Sequence, residues 1–345
     1  MIKTTAAENK KIRGELLIMR EKWAKRKNEE MTLRELYDEY MAEYAPNCLK
    51  PSTITIYQTN LRNHILGVFG DMRVQEIDNH ILSAYFCEFM SDRASIAHNV
   101  LHALSSLMNY AVRMHYIIQN PCPEVMLPKV RNKKHKRSLH FDELPAFFRL
   151  FDRGRTIDKI ARLLLLSGMR VGEVCALQWD DIDFDSNTIH INKTVSKSAE
   201  GVYIGEPKTK NSNRTIYMGR CIRALLLEHR KMQQHLRRCK IHPEMVFVRD
   251  NGDYLTEFLV WYEFKRRVNN THFSFLTPHM LRRSNASLLL NSGIDLKMVS
   301  SHLGHASIGV TANIYAEVLE PAQKKIARVT DEIFDGNPEE EVVDL

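Results

Sequence analysis

Arg170, His279, Arg282, His305 and Tyr315 are residue types that together suit one reaction. Guanidiniums can hold a phosphodiester, imidazoles can donate to it or relay its protons, and a phenol can attack it. Arg170 lies in Leu-Ser-Gly-Met-Arg-Val-Gly-Glu, and His279 and Arg282 lie in Thr-Pro-His-Met-Leu-Arg. His305 closes Leu-Gly-His, and Tyr315 ends Thr-Ala-Asn-Ile-Tyr. Such chemistry requires no metal.

The local sequence gives each group a place. Gly168 is expected to end a helix over 157–167, so Arg170 opens the next one, where free backbone N–H groups favour anions. Val171, Val174 and Leu177 turn that helix's other face to the core, and Glu173 is in reach to brace the guanidinium. By itself, an Arg–Glu pair at i,i+3 is ordinarily a surface pair. Thr277 reads as an N-cap with Pro278 at the first helical position. His279 and Arg282 then share one face near the positive end of the helix dipole, with Arg282 offering a fork to a phosphate. A lone His-x-x-Arg usually means two surface residues; Leu-Gly-His and Tyr315 downstream give this one its meaning. His302 and His305 have the look of a metal pair, but no third ligand stands out, and glycine after an apolar helix is a common C-cap. We therefore expect no metal. Tyr315 is one of 12 tyrosines. An unactivated phenol has a pKa near 10, so attack at neutral pH needs cations around the phosphate and a neighbouring base.

The order and context of these motifs resemble the tyrosine recombinase, or phage-type integrase, family over most of the chain. The long string from Leu165 to Asp183 is similar to the family's first arginine motif. The resemblance implies that Tyr315 attacks a DNA phosphate, forms a 3′-phosphotyrosyl link and frees a 5′ hydroxyl. It implies that Arg170, Arg282 and His305 stabilise the transition state, that His279 is the base and that Glu173 supports Arg170. Residues 207–216 resemble the family's β-hairpin, whose lysine is the general acid. Lys208 fits that role, with Lys210 as the second choice; the plain alternative for both is phosphate contact by a basic turn. The resemblance further implies a C-shaped two-domain clamp on duplex DNA, a tetramer of protomers in the synapse, and no cofactor. The chain departs from the family pattern at Arg283, where a second histidine is usual, at Met280, where an acid is common, and at Glu317, where histidine is frequent. These positions bear on supporting contacts and not on the core residue types.

The elements that must position these groups divide into segments. Residues 1–30 are charged and helix-friendly, with Ile12, Leu16, Met19 and Trp23 at roughly helical spacing. Residues 31–126 read as a helical core-binding domain. Its first helix opens at Thr32 with Glu35 as a capping box, its second runs from Pro51 through Ile65, and its third lies near 81–90. Its fourth runs from Ala94 to about Tyr116 and is stopped by Asn120-Pro121. Residues 127–138 form a basic linker in which Lys129, Arg131, Lys133, Lys134, Lys136 and Arg137 are expected to lie along the phosphate backbone. Each phosphate they neutralise releases counterions. A solvated charged linker is the plain alternative. Residues 139–330 read as a mixed α+β catalytic domain, with helices at 141–151, 157–167 and 171–177, then strands at 181–184, 188–193, 202–204 and 214–217. Turns are expected at 185–187 and 210–213, and helices resume to near Val329. The fold class is thus mainly α with a small antiparallel β-sheet. Residues 331–345 form an acidic tail.

Composition agrees. The 345-residue chain is 44% hydrophobic and carries a net charge of +7. Its last fifteen residues hold seven acids and no Lys or Arg; the rest of the chain has 49 basic residues against 42 less seven acidic ones, or +14. A body that basic suggests a polyanionic partner, although solubility alone also accounts for modest charge. The six cysteines show no Cys-x-x-Cys spacing and read as reduced thiols. No apolar run approaches the roughly 20 residues of a membrane span, and the charged start is unlike a signal peptide. The expected setting is the cytoplasm, on the nucleoid of a bacterium or of a phage's host. The expected partners are double-stranded DNA, further copies of the chain, and an accessory DNA-bending or directionality factor. A type IB topoisomerase and a catalytically silent DNA-binding regulator are the alternatives from other classes.

Overall fold

The computed structural model describes residues 14–15, 31–128, 137–198, 201–206, 212–234, 241–305, 307–309 and 311–312. The segment before Met31, most of the basic linker, the hairpin residues 207–211 and the chain from residue 313 onward lie outside the described residues. So do Lys208, Lys210, Tyr315, Lys129, Arg131, Lys133, Lys134 and Lys136. The chain divides into two compact units near residue 134.

The first unit is helical. α1 (Leu33–Glu39) starts at Thr32, whose side chain accepts from the Glu35 N–H while Glu35 accepts from the Thr32 N–H at 2.9 Å. This is the capping box expected from the sequence. The helix continues through a π-turn at Tyr40–Tyr44. α2 (Pro51–His64) begins on proline, α3 (Asn79–Phe89) is capped by Asp78, and α4 (Ala94–Arg113) is the longest of the four. α4 ends before the expected Tyr116. His115 takes a left-handed conformation (φ 61°), and Tyr116 turns inward to donate to the buried Glu39 at 3.0 Å. The helix ends in a local Schellman motif, the His115 N–H returning to Val112 and the Tyr116 N–H to Ala111, well ahead of the proline. Leu33, Leu36, Leu61, Phe86, Leu104 and Leu107 are fully buried in the core, each worth about 1.5–3 kcal/mol of transfer free energy.

The second unit is built on α6 (Thr156–Ser167). α5 (Leu144–Leu150) precedes it after a 3-10 turn, because Pro145 lacks the N–H to extend the helix backwards. Asp158, buried in the first turn of α6, accepts from the Arg153 and Arg155 N–H groups and from Arg267 at 2.7 Å. Gly168 ends the helix at φ 64°; a Cβ there would meet Asn285 and Leu303 side-chain atoms at 2.6 Å, so the position requires glycine. α7 (Val171–Cys175) follows.

β1 (Ile182–Asp183), β2 (Thr188–Ile191) and β5 (Arg214–Tyr217) form an antiparallel sheet in the order β1-β2-β5, with Ile189 opposite both Ile182 and Ile216. The β1–β2 turn is the expected Asp-Ser-Asn: Asp183 accepts from the Asp185 and Ser186 N–H groups, and Asn187 is left-handed. The strand content is split, because β3 (Thr194–Ser198) and β4 (Gly201–Gly205) form a second sheet. The strand expected over 188–193 ends at Ile191, and the Lys193 ammonium bonds the buried Asp181. α8 (Arg220–Gln234), α9 (Glu257–Val268), α10 (Pro278–Asn291) and α11 (Leu296–Leu303) complete the unit. Phe151 stacks on Phe264 at 5.2 Å, and α6 packs against α8 and α10 around Leu163, Leu164 and Leu281. Five cysteines among the described residues are free thiols. No helix among them is long and apolar enough to cross a membrane.

Candidate active site

Arg170 is the N-cap residue of α7, as its place after Gly168 requires. Glu173 reaches back to accept from the Arg170 backbone N–H at 2.8 Å and from its Nη1 at 2.7 Å. Arg170 Nη1 also reaches Ser212 Oγ at 3.2 Å, and Nη2 donates to the Gly304 carbonyl at 2.8 Å. Its side chain is about one third exposed, which leaves it open to a ligand.

Thr277 caps α10 by accepting from the Met280 N–H, with Pro278 next. His279 lies exposed in the first turn, and Arg282 lies buried one turn on. Arg282 donates through Nη1 to the Gly168 carbonyl at 2.8 Å and through Nη2 to the Leu303 carbonyl at 2.5 Å. Its two nitrogens therefore join the C-terminal ends of α6 and α11. Burial, then Arg170, pull the Arg282 guanidinium down to about 9; Glu173 opposes this and Arg214 adds to it. At neutral pH Arg282 is still a cation.

α11 ends in a Schellman motif. The Gly304 N–H returns to Ser301 and the His305 N–H to Ser300, with Gly304 left-handed at φ 66°. The sequence signal for a C-cap was thus real, and it delivers His305 to the site. His305 Nδ1 lies 2.7 Å from the hydroxyl of the fully buried Thr311. Burial first, then Arg282, Arg170, Arg214 and His279, push the ring down to about 4. His305 is therefore neutral in the free protein. When Nδ1 accepts from Thr311, the proton resides on Nε2, where a phosphate oxygen can receive it.

The sequence reading missed Arg214. It is nearly buried at the start of β5 and binds both oxygens of Glu173. It also donates through Nε to the His302 carbonyl at 2.8 Å. Three arginines thus end on three successive carbonyls of one helix end: Arg214 on His302, Arg282 on Leu303 and Arg170 on Gly304. The helix dipole is negative there, which suits all three. Glu173 is buried, which alone would raise its carboxyl, but hydrogen bonds and charge from Arg214, then Arg170, hold it below the usual carboxylate range. The His302 carbonyl takes Arg214, and the His302 ring bonds the Ser167 backbone. Arg137, at the end of the linker, already pairs with Glu143 at 2.6 Å and lies over the Phe275 ring. Among the described residues, no three His, Cys, Asp or Glu side chains gather as a metal site would need.

A partly exposed arginine and a buried one, both anchored on backbone carbonyls beside a neutral histidine held by a threonine hydroxyl, form an oxyanion-binding arrangement. The sequence pattern of the phage integrase family matches residues 137–321, more than half of the chain and the whole of this arrangement. The chain belongs to the phage integrase family. Residues 32–87 match the family's N-terminal SAM-like domain. A tyrosine recombinase XerC-like protein of Caldanaerobacter subterraneus subsp. tengcongensis is 25% identical over 334 residues, covering 89% of this chain and 84% of that one. The ICEBs1 integrase of Bacillus subtilis is 26% identical, covering 84% and 81%. Among solved structures, the Tn1549 transposon integrase with transposon right end DNA superposes with a TM-score of 0.68 at 19% identity, covering 86% of this chain and all of that one. A lambda integrase tetramer bound to a Holliday junction gives 0.61 at 19% identity, covering 83% and 78%. The fold is therefore that of these integrases, and the chain is a tyrosine recombinase.

Proposed function

We propose that this tyrosine recombinase is the site-specific integrase of a phage or integrative mobile element, and that Tyr315 is its nucleophile. The observation that carries this reading is the anchoring of Arg170, Arg282 and His305 around the end of α11, with Thr311, four residues before Tyr315, bonded to His305. Tyr315 attacks the scissile phosphate, Arg170 and Arg282 neutralise the charge that builds on the non-bridging oxygens, and His305 donates from Nε2. The phosphorus–oxygen bond to the leaving nucleotide breaks as the bond to the tyrosine oxygen forms. His279 accepts the phenolic proton and Lys208 protonates the departing 5′ oxygen, which leaves as the hydroxyl. The phosphotyrosine keeps the bond energy, so a 5′ hydroxyl of a partner duplex reverses the step without cofactor.

The domain bounds proposed are those of the sequence: 31–126 and 139–330 bind duplex DNA, and the linker, with Arg137 and Lys210, adds phosphate contacts. Four protomers on two duplexes make the synapse, and a DNA-bending or directionality factor sets its outcome. The protein acts in the cytoplasm on nucleoid DNA.

The test uses plasmids carrying the junction sequences that flank the gene, incubated with purified protein. Exchange between paired sites is expected, and a plasmid lacking them stays supercoiled. Relaxation of the site-free plasmid without exchange would point to a topoisomerase and contradict the proposal.

A further inference from the structure

Glu173 is 3% exposed, and Arg170 satisfies only part of its carboxylate. Arg214 supplies the rest: Nη2 meets Oε2 at 2.9 Å and Nη1 meets Oε1 at 3.1 Å. The same guanidinium reaches the Ser212 carbonyl at 3.1 Å and the His302 carbonyl at 2.8 Å. Each nitrogen of Arg214 is thus engaged within the protein, and the side chain is only 7% exposed. That leaves it poorly placed to grip a phosphate, unlike Arg170 beside it.

Its partners are the parts that must keep fixed distances. Glu173 sets Arg170 through both backbone and side chain. The His302 carbonyl is one residue from the Leu303 carbonyl held by Arg282, and three from His305. Ser212, whose hydroxyl accepts from Arg170, forms the base of the segment that carries Lys208. We infer that Arg214 is a positioning residue for strand cleavage, acting on Arg170 through the Glu173 carboxylate and Ser212. The inference rests on the reading that Arg170 stabilises the cleavage transition state. Loss of Arg214 leaves a buried carboxylate half-paired and frees Arg170 to turn towards it. A misplacement of about 1 Å costs on the order of 100-fold in rate.

The test is a double-mutant cycle on single-turnover formation of the covalent protein–DNA adduct. The substrate is a nicked duplex of the junction sequence, at saturating protein. Arg214→Ala should slow adduct formation about 100-fold while duplex affinity by gel shift at fixed salt stays within about threefold. In the Arg170→Ala background, the same substitution should cost no more than about threefold, because residues acting through one another are not additive. Arg214→Lys keeps the charge but cannot span the same partners, and should remain at least about tenfold slow. It replaces Arg214→Ala in the cycle if the alanine variant fails to fold. Costs that add across the cycle, or an Arg214 variant within about threefold of wild type, overturn the inference alone. An Arg170→Ala protein that cleaves like wild type overturns the parent reading as well.

Discussion

His305 Nδ1 and Thr311 Oγ lie 2.7 Å apart, and this contact fixes which ring nitrogen faces a substrate. Thr311 is fully buried, so its hydroxyl has no ready water to replace His305. Thr311→Val keeps the shape and removes the bond. A buried hydrogen bond is worth about 1–1.5 kcal/mol, so single-turnover cleavage should fall about tenfold. Thr311→Ser, which keeps the hydroxyl, should cleave near the wild-type rate. Equal rates for the Val and Ser variants would show that the bond does not orient His305.

The neutral His305 gives a pH signature in the DNA-free protein. Its folded pKa, about 4, is below the ordinary 6.5, mainly from burial and then from Arg282 and Arg170. Between those values the unfolded chain binds a proton that the folded one refuses, so this contribution is present above about pH 6.5 and lost as pH falls towards 4. His302 is shifted the same way by burial and Arg214. The urea midpoint should therefore drop from pH 7 to pH 5, and the drop should be smaller in His305→Gln. An identical drop in both proteins would assign the pH dependence elsewhere.

Arg170→Ala and Arg282→Ala should each slow cleavage about 100-fold or more, as expected for lost transition-state donors. Their stabilities should differ. Arg282 is buried and satisfies the Gly168 and Leu303 carbonyls. Stranding a buried acceptor costs about 1–3 kcal/mol, so Arg282→Ala should show a clearly lower Tm than Arg170→Ala. Equal melting temperatures would argue against the bridging role of Arg282 between α6 and α11.

Much of this was legible locally. Thr32 with Glu35, Thr277 with Pro278, Gly168 after Ser167 and the Asp-Ser-Asn turn are all signals that act within a few residues, and each forms the element its residue types favour. Arg214 was illegible because its partners, Glu173 and His302, lie 41 and 88 residues away. A strand arginine after a basic turn looks the same whether it meets solvent or a buried carboxylate. The early end of α4 was hidden for another reason, since its left-handed cap residue is His115 rather than a glycine. Capping chemistry is local; the satisfaction of buried charge is not.

The general acid is tested through its leaving group. Lys208→Ala should cleave an ordinary junction slowly and recover on a 5′-bridging phosphorothioate, because sulfur departs without needing a proton. Rescue of Lys210→Ala instead would move the role to Lys210.

The central claim is that Tyr315 forms the covalent bond to DNA. The most direct measurement is a denaturing gel of wild type and Tyr315→Phe after incubation with a nicked duplex of the junction sequence. The wild type should run partly as a protein–DNA adduct. The Phe variant should form none while binding the duplex with similar affinity, since affinity comes from many phosphate contacts and attack comes from one oxygen. An adduct from the Phe variant would place the nucleophile on another residue.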